Sequence, residues 1–413
     1  MNRGLVVAAV LGVACGTCDV RSAPREPTAP LKAGGLAFGA PDEQRLDARP
    51  LVKLAEWVRD GSPAIFSILI SKNGVVVFEL YTSSLTRDHA HYLMSVTKSF
   101  TSALVGAAID RGVVGSPKTS VADALPKRVF ASEAERTRFR GVTIRDVLAM
   151  SALDAQVPPH RNLAEDQVRA NEFWASTNRA EFALTQAVLP HPGVSFQYTD
   201  ITPLIATGII EYATHTTALE FAEQALFGPM EFRNYEWMHE DDVGIDNGAY
   251  GLRLRPIDMQ KFGVLFLRGG AWEGKQLLSR DWVARSFSPW IKSSAALPVP
   301  NYGWYWWTYH YAPHWVARVA VGWKGQRIAV IPQQQMVVTM TGILGDDEDA
   351  VFERIIRDYV MPSADGRPDA ALRPSLDKLL EQVRRGPLRV KPGVESRMIP
   401  SIEAKEIHHG FSP

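Results

Sequence analysis

The sequence predicts an α/β body assembled from both ends of the chain, with an all-α lobe inserted between them. Three observations carry this expectation. Near the front, two β-rich runs, Ile65–Ile70 and Val75–Tyr81, flank Asn73-Gly74, and Asn-Gly between such runs is a strong hairpin signal. Near the back, Arg318–Val321, Arg327–Ile331 and Met336–Thr341 are short β-rich runs separated by Gly or Pro, followed by the helical pattern AVFERIIRDYV. Between them, from Ser120 to about Leu226, the pattern is mostly helical and irregular. A sheet closed by the two chain ends, with the helical stretch as an insertion, is the simplest layered solution.

The first element is a leader. MNRGLVVAAVLGVACGTCDV places one Arg before an apolar run from Leu5 to Ala14, the length of a signal-peptide core and too short to span a bilayer. Both cysteines, Cys15 and Cys18, fall here, so the folded body is not expected to be disulfide-stapled. Gly12-Val13-Ala14-Cys15 is similar to a bacterial lipobox, with Gly12 where Leu is usual. Export to the periplasm or cell surface is expected, with lipid attachment at Cys15 as the membrane link. The alternative is an ordinary secretory signal cut nearby, for instance after Ala23.

Residues 1–23 are therefore read as leader and 24–50, rich in Pro, Ala and Gly, as a tether. Residues 51–362 are expected to form the domain, with its helical lobe at about 120–226. Residues 363–413 read as a polar, Pro-bearing extension with one helix, Ser375–Arg385. The 45 basic and 45 acidic residues cancel, which argues against a nucleic-acid partner or a polybasic membrane surface.

Within the domain, the segment after Ser95 has Phe100, Leu104, Val105 and Ala108 at helical spacing, and Gly112 as a stop. In VTIRDVLAM, Thr143 is the expected N-cap; ITPLIATGIIEYATH reads as a buried helix and ALEFAEQALFGPM as an amphipathic one. Asp346, Asp347 and Glu348 form an acidic start to the last of the domain's helices. The aromatic run Tyr302 to Trp315 suits a strand with two buried faces, one of them walling a hydrophobic pocket.

Ser95-Val96-Thr97-Lys98 is the chemical candidate. A serine opening a helix sits at the positive end of the macrodipole, where an alkoxide or oxyanion is favoured. Lys98, three residues on, shares its face. Packed among apolar residues, such a lysine is expected to have a lowered pKa and to accept the serine proton. The pattern alone is weak, because Ser375-Leu376-Asp377-Lys378 repeats it. That copy follows Pro374 and has charges all round it, so Ser375 reads as an N-cap and Lys378 as solvated.

YLMSVTKSFTSALVGAAIDRG resembles the S-x-x-K helix of the serine β-lactamase and penicillin-binding-protein superfamily. The likeness is strongest to the branch that holds class C β-lactamases, DD-peptidases, family VIII esterases and 6-aminohexanoate-dimer hydrolases. It continues in order through VTIRDVLAMSALD, with Ala152 where Gly is usual, then HPGVSFQYTDITPLIATGIIEYAT, the YGLRLRPIDMQKFGVLFLRGG segment and YGWYWW, about residues 60 to 360 in all. The resemblance implies a β-lactamase/DD-peptidase-like fold, an antiparallel sheet flanked by helices with a helical subdomain inserted. It also implies an acyl-enzyme mechanism that needs no metal or organic cofactor.

Carried over by motif, Ser95 would be the nucleophile, and Lys98 and Tyr198 would manage its proton. The backbone amides of Ser95 and Gln326 would form the oxyanion hole. Asp200 stands where the second motif usually has Asn. As a carboxylate it cannot donate an amide hydrogen bond, so it favours a cationic substrate group, pairs with a base, or caps the following helix. Trp323-Lys324-Gly325 is the candidate for the third motif, on the strand beside the site, with Trp323 in the place of the usual lysine. Lys324, one residue on, would face away, and Gly325 would let a substrate approach the backbone.

These departures favour an ester or amide substrate over one presenting a carboxylate. The expected function is an exported serine hydrolase, 6-aminohexanoate-dimer-hydrolase-like or esterase-like. The alternatives are a D-Ala-D-Ala carboxypeptidase or class C-type β-lactamase, and, from another class, a non-catalytic lipid-tethered binding protein. Other patterns are decoys. Gly269 to Lys275 matches a phosphate-loop spacing, but Gln276 replaces the Ser/Thr that would meet magnesium. His310 and His314 are separated by Pro313, which spoils a helical metal pair.

Overall fold

The computed structural model describes residues 31–33, 35–61, 64–154, 176, 178–239, 245–293 and 301–386. The expected leader with Cys15 and Cys18 lies outside the described residues, as does the chain after Gly386.

The hairpin at the front forms as the turn chemistry dictates. Strands β3 (Ile65–Lys72) and β4 (Val75–Tyr81) pair antiparallel with Lys72 opposite Val75. Asn73 and Gly74 both adopt positive φ, at 54° and 76°, the requirement of a two-residue turn that matches strand twist. Before them come β1 (Leu31–Ala33) and β2 (Leu36–Phe38). After them come β5 (Ile291–Lys292), β6 (Asn301–Tyr302), β7 (Trp307–Ala312), β8 (Trp315–Gly322), β9 (Gln326–Ile331) and β10 (Met336–Gly342). The spatial order is β1-β2-β4-β3-β10-β9-β8-β7-β6-β5. The front hairpin joins the back strands through β3 and β10, where Leu69 faces Thr339. All pairs are antiparallel except β2 with β4.

One expectation fails at the edge of this sheet. The stretch read as a tether, 24–50, contributes β1, β2 and the start of helix α1 (Ala48–Arg59). Leu36 is fully buried, and Asp42 is paired with Arg373. Small and Pro-rich composition hides the strand next to the sheet edge because β2 needs one buried residue and two part-buried ones, not a long apolar run.

Two apolar cores lie on opposite faces of the sheet. On one face, Ile65, Ile68 and Ile70 of β3 join Leu51, Leu54 and Ala55 of α1. Helix α7 (Arg373–Arg385) packs on α1 and brings Leu376, Leu379 and Val383 into that core. The helix expected over Ser375–Arg385 thus begins two residues earlier and belongs to the body of the domain. Ser375 lies inside its first turn rather than at its cap, which is Leu372, and both Ser375 and Lys378 are exposed.

On the other face lie α2 (Thr97–Asp110), α4 (Thr202–Thr214) and α5 (Pro256–Leu267). Phe100, Leu104, Leu204, Ile205 and Phe262 are buried there, and α5 packs directly on β3, β9 and β10. Most of the described residues of the inserted region are helical. The region includes α3 (Ile144–Leu148), whose N-cap Thr143 forms a full capping box with Asp146. Helix α6 (Glu348–Arg354) follows β10. The phosphate-loop decoy is a turn after α5, with Gly269 and Gly270 at positive φ and the Gln276 amide donating to the Gly269 carbonyl.

Candidate active site

Ser95 occupies a single 3₁₀ turn, Met94–Val96, that runs directly into α2. Met94 before it takes φ 49°, an uncommon conformation for a side chain of its size. One turn into the helix, Lys98 is 2% exposed. Its Nζ lies 2.9 Å from Ser95 Oγ, 2.5 Å from Asp200 Oδ1 and 2.9 Å from the Ala249 carbonyl oxygen. Three acceptors match the three N–H groups of an ammonium.

The charge state follows from this shell. Burial pushes the Lys98 pKa down, but the Asp200 carboxylate and the Tyr198 oxygen outweigh it, and the net shift is upward. This corrects the expectation of a lysine depressed by apolar packing. Desolvation acts as expected, yet a carboxylate at hydrogen-bond distance favours the charged form more strongly. The direction of the shift favours an ammonium that donates to Ser95 Oγ over a free base.

Asp200 is brought to the lysine by the start of α4. Its role as a helix cap does not hold: the N-cap position is Ile201, with no side-chain cap bond. Pairing with Lys98 is what the carboxylate does. Tyr198 sits two residues before, 37% exposed, with Lys98 Nζ 5.1 Å from its ring centre.

The segment carrying Tyr198 is fixed from below by the loop after α3. Gln197 N–H donates to the Met150 carbonyl at 2.7 Å, and Gly193 N–H donates to that of Ser151 at 3.0 Å. Met150 takes φ 55°. Beside Tyr198, Trp307, Tyr302 and Phe196 form an aromatic wall with ring centres 5.6, 6.3 and 6.5 Å from its own. Of the Tyr302 to Trp315 run, Tyr302 and Trp307 thus lie beside Tyr198. As an unbroken strand the run fails, because Tyr305 takes φ 63° between β6 and β7. The buried Ser99 hydroxyl of α2 donates to the Tyr305 carbonyl at 2.6 Å and ties this bend to the nucleophile helix.

The third expected motif lies on a turn, not on a strand. Trp323–Gly325 connects β8 to β9, and Gln326 opposes Gly322 at the head of the two strands. Lys324 takes φ 65° and lays its ammonium 4.4 Å from the Trp323 ring centre. Strand alternation therefore does not decide where it points. Trp323 is 45% exposed. Gly325 is needed for its own φ of 93°, and a Cβ there would meet Leu344 at 2.7 Å. Its backbone conformation by itself requires the glycine.

The glycine that sets close approach is Gly322, which sequence reading passed over. A Cβ on it would lie 2.3 Å from the Leu93 carbonyl oxygen and 3.2 Å from the Val96 nitrogen. The strand head therefore rests on the turn that carries Ser95. That contact brings the Gln326 end of β9 to the serine, where amides from two elements can serve one oxyanion. A glycine immediately before the third motif was the only local signal. The Ala249 carbonyl also escaped notice, since a backbone acceptor leaves no mark in sequence.

The arrangement places a serine hydroxyl, a buried cation, a phenol and a close strand head together, the set required for acyl transfer through serine. Among the described residues no cluster of three or more His, Cys, Asp or Glu side chains is placed to hold a metal.

Comparison with known proteins agrees with this geometry. The model of the family described as Beta-lactamase matches residues 66–342. The 6-aminohexanoate-dimer hydrolase of Paenarthrobacter ureafaciens is 25% identical over 302 residues, spanning 69% of this chain and 70% of its own. A Bacillus anthracis structure provisionally described as a 6-aminohexanoate-dimer hydrolase superposes with TM-score 0.64 at 17% identity, over 82% of this chain and 90% of its own. The octameric penicillin-binding protein homologue of Pyrococcus abyssi gives TM-score 0.59 at 16% identity, over 78% of this chain and 79% of its own. The chain belongs to the Beta-lactamase family of serine hydrolases, and its sheet, flanking helices and inserted helices are the β-lactamase/penicillin-binding-protein fold.

Proposed function

We propose that the protein hydrolyses an ester or amide through an acyl-enzyme on Ser95. The observation that carries this reading is the 2.9 Å approach of Lys98 Nζ to Ser95 Oγ inside a shell that also holds Asp200. Ser95 Oγ attacks the substrate carbonyl while its proton moves to Tyr198, which accepts it in its phenolate form beside the Lys98 ammonium. The Lys98 ammonium stabilises both the forming alkoxide and the phenol oxygen as charge shifts between them. The amides of Ser95 and Gln326 receive the oxyanion. Tyr198 then returns the proton to the leaving alcohol or amine, and water resolves the acyl-enzyme by the same path reversed.

The substrate reading rests on the surround. Asp200 is engaged by Lys98, and Trp323 presents an apolar face where a cation would meet a carboxylate. With Phe196 and Trp307 beside Tyr198, this favours an uncharged acyl or alcohol part. The named relatives include amide hydrolases of 6-aminohexanoate dimers, and an amide substrate is equally open to this machinery. A p-nitrophenyl ester and anilide panel tests the proposal: turnover is expected in the native protein and absent in Ser95→Ala.

One observation supports a second reading. Lys324 holds its ammonium over the Trp323 ring at the same turn, and a cation–π pair at the surface can still receive an anion. Acylation by penicillin would move the assignment to a D-Ala-D-Ala carboxypeptidase or β-lactamase. Silence across esters, amides and penicillin would leave the non-catalytic binding protein. Export is part of the same proposal, and fractionation of cells expressing the full chain, native and Cys15→Ala, tests the lipid link.

A further inference from the structure

Arg327 is the first residue of β9 after Gln326, and its side chain is fully buried. Its Nη1 donates to the Gly322 carbonyl at 2.6 Å and to the Gln326 carbonyl at 3.0 Å. Those two residues oppose each other at the head of β8 and β9, so one guanidinium nitrogen closes the base of the turn. Its Nη2 donates to Asp349 Oδ1 at 2.8 Å and lies 3.8 Å from Glu348 Oε1. Both carboxylates stand in the first turn of α6.

A buried arginine is costly to desolvate unless its donors are used. Here Nη1 is spent on the Gly322 and Gln326 backbone carbonyls and Nη2 on Asp349, while the buried Nε–H has no partner among the described residues. The Gly322 end rests on the Ser95 turn. A shift of the clasp therefore moves the Gln326 N–H relative to the Ser95 N–H, and Arg327 itself bonds to Gly322, Gln326 and Asp349 and to none of Ser95, Lys98 and Tyr198.

We propose that Arg327, held by Asp349 and Glu348 of α6, is a positioning residue that sets the oxyanion hole by clamping the Gly322 and Gln326 carbonyls. The proposal rests on the reading of Ser95 and Gln326 given above. Because the hole binds charge that exists only in the tetrahedral state, loosening it lowers kcat and leaves KM nearly alone.

The test compares native protein with Arg327→Met, Arg327→Lys and Asp349→Asn, each shown to be folded by circular dichroism, on p-nitrophenyl butyrate. Phenylboronic acid, which forms a tetrahedral adduct on an active serine, reports the hole separately. In Arg327→Met, kcat is expected to fall roughly 10- to 100-fold, as for an oxyanion donor displaced by about an ångström. KM should stay within about threefold and the phenylboronate inhibition constant should rise in step with the loss in kcat. Arg327→Lys should recover part of it, and Asp349→Asn should show a smaller loss of the same kind. If Arg327→Met does not fold, Asp349→Asn decides. An unchanged kcat overturns the proposal, as does a loss carried by KM, or a kcat loss without weaker boronate binding. Labelling of native Ser95 by a fluorophosphonate is scored first. Its failure removes the underlying reading, whereas success with unaltered variants removes the clasp alone.

Discussion

Lys98 and Asp200 are 102 residues apart in sequence and 2.5 Å apart at Nζ and Oδ1. The pairing sets the direction of the lysine's shift, since burial lowers its pKa and the carboxylate raises it by more. Asp200→Asn removes that support. The raised pKa of Lys98 should then fall, and because its protonated form is the one needed, the alkaline limb of the pH–rate profile should move to lower pH. The value of kcat at neutral pH should fall by roughly one to two orders of magnitude. A pH profile of kcat for both proteins checks this, and an unshifted alkaline limb would contradict it.

Gly322→Ala probes the seat of the strand head on the nucleophile turn. The added methyl meets a backbone oxygen at 2.3 Å, which no rotamer change relieves. The strand must lift, at a cost of about 1–3 kcal/mol by overpacking, and the two amides separate. Thermal melting should fall by a few degrees while esterase kcat drops at least about tenfold. Native kcat in the variant would show that the contact is not needed for activity.

His91 makes stability depend on acid. It is buried beside Phe66, with ring centres 5.4 Å apart. Burial first, then the charges of His89 and Arg253, lower its pKa from 6.5 to about 3. A histidine kept neutral in the fold but free to charge when unfolded adds stability above pH 6.5 that is lost as pH falls from 6.5 toward about 3. At pH 5 the expected loss is about 2 kcal/mol, from 1.4 kcal/mol per unit. His91→Leu should remove that share of the decline between pH 7.5 and pH 5 in urea unfolding midpoints. An identical decline in both proteins would contradict the assignment.

Local chemistry was the legible part of this fold. Asn73-Gly74 demanded positive φ at both positions, Thr143 and Asp146 formed a capping box, and the Ser95 turn with its helix followed from spacing and apolar pattern. The meeting of front and back strands was also legible, since neither set could complete a sheet alone. What sequence could not carry were relations between distant segments. The shell of Lys98 comes from Asp200 and Ala249, the approach of β8 depends on a glycine with no turn of its own, and Arg327 reads as one polar residue in a strand. Ser375 shows the converse: its S-x-x-K pattern is as good as that of Ser95, but its side chain is in solvent.

Intact mass after exposure to a fluorophosphonate shows whether Ser95 is an activated nucleophile. The native protein is expected to gain one adduct, lost in Ser95→Ala and retained in Ser375→Ala. Folded native protein that takes no adduct from this probe or from small activated esters, or an adduct that persists in Ser95→Ala, would contradict the account.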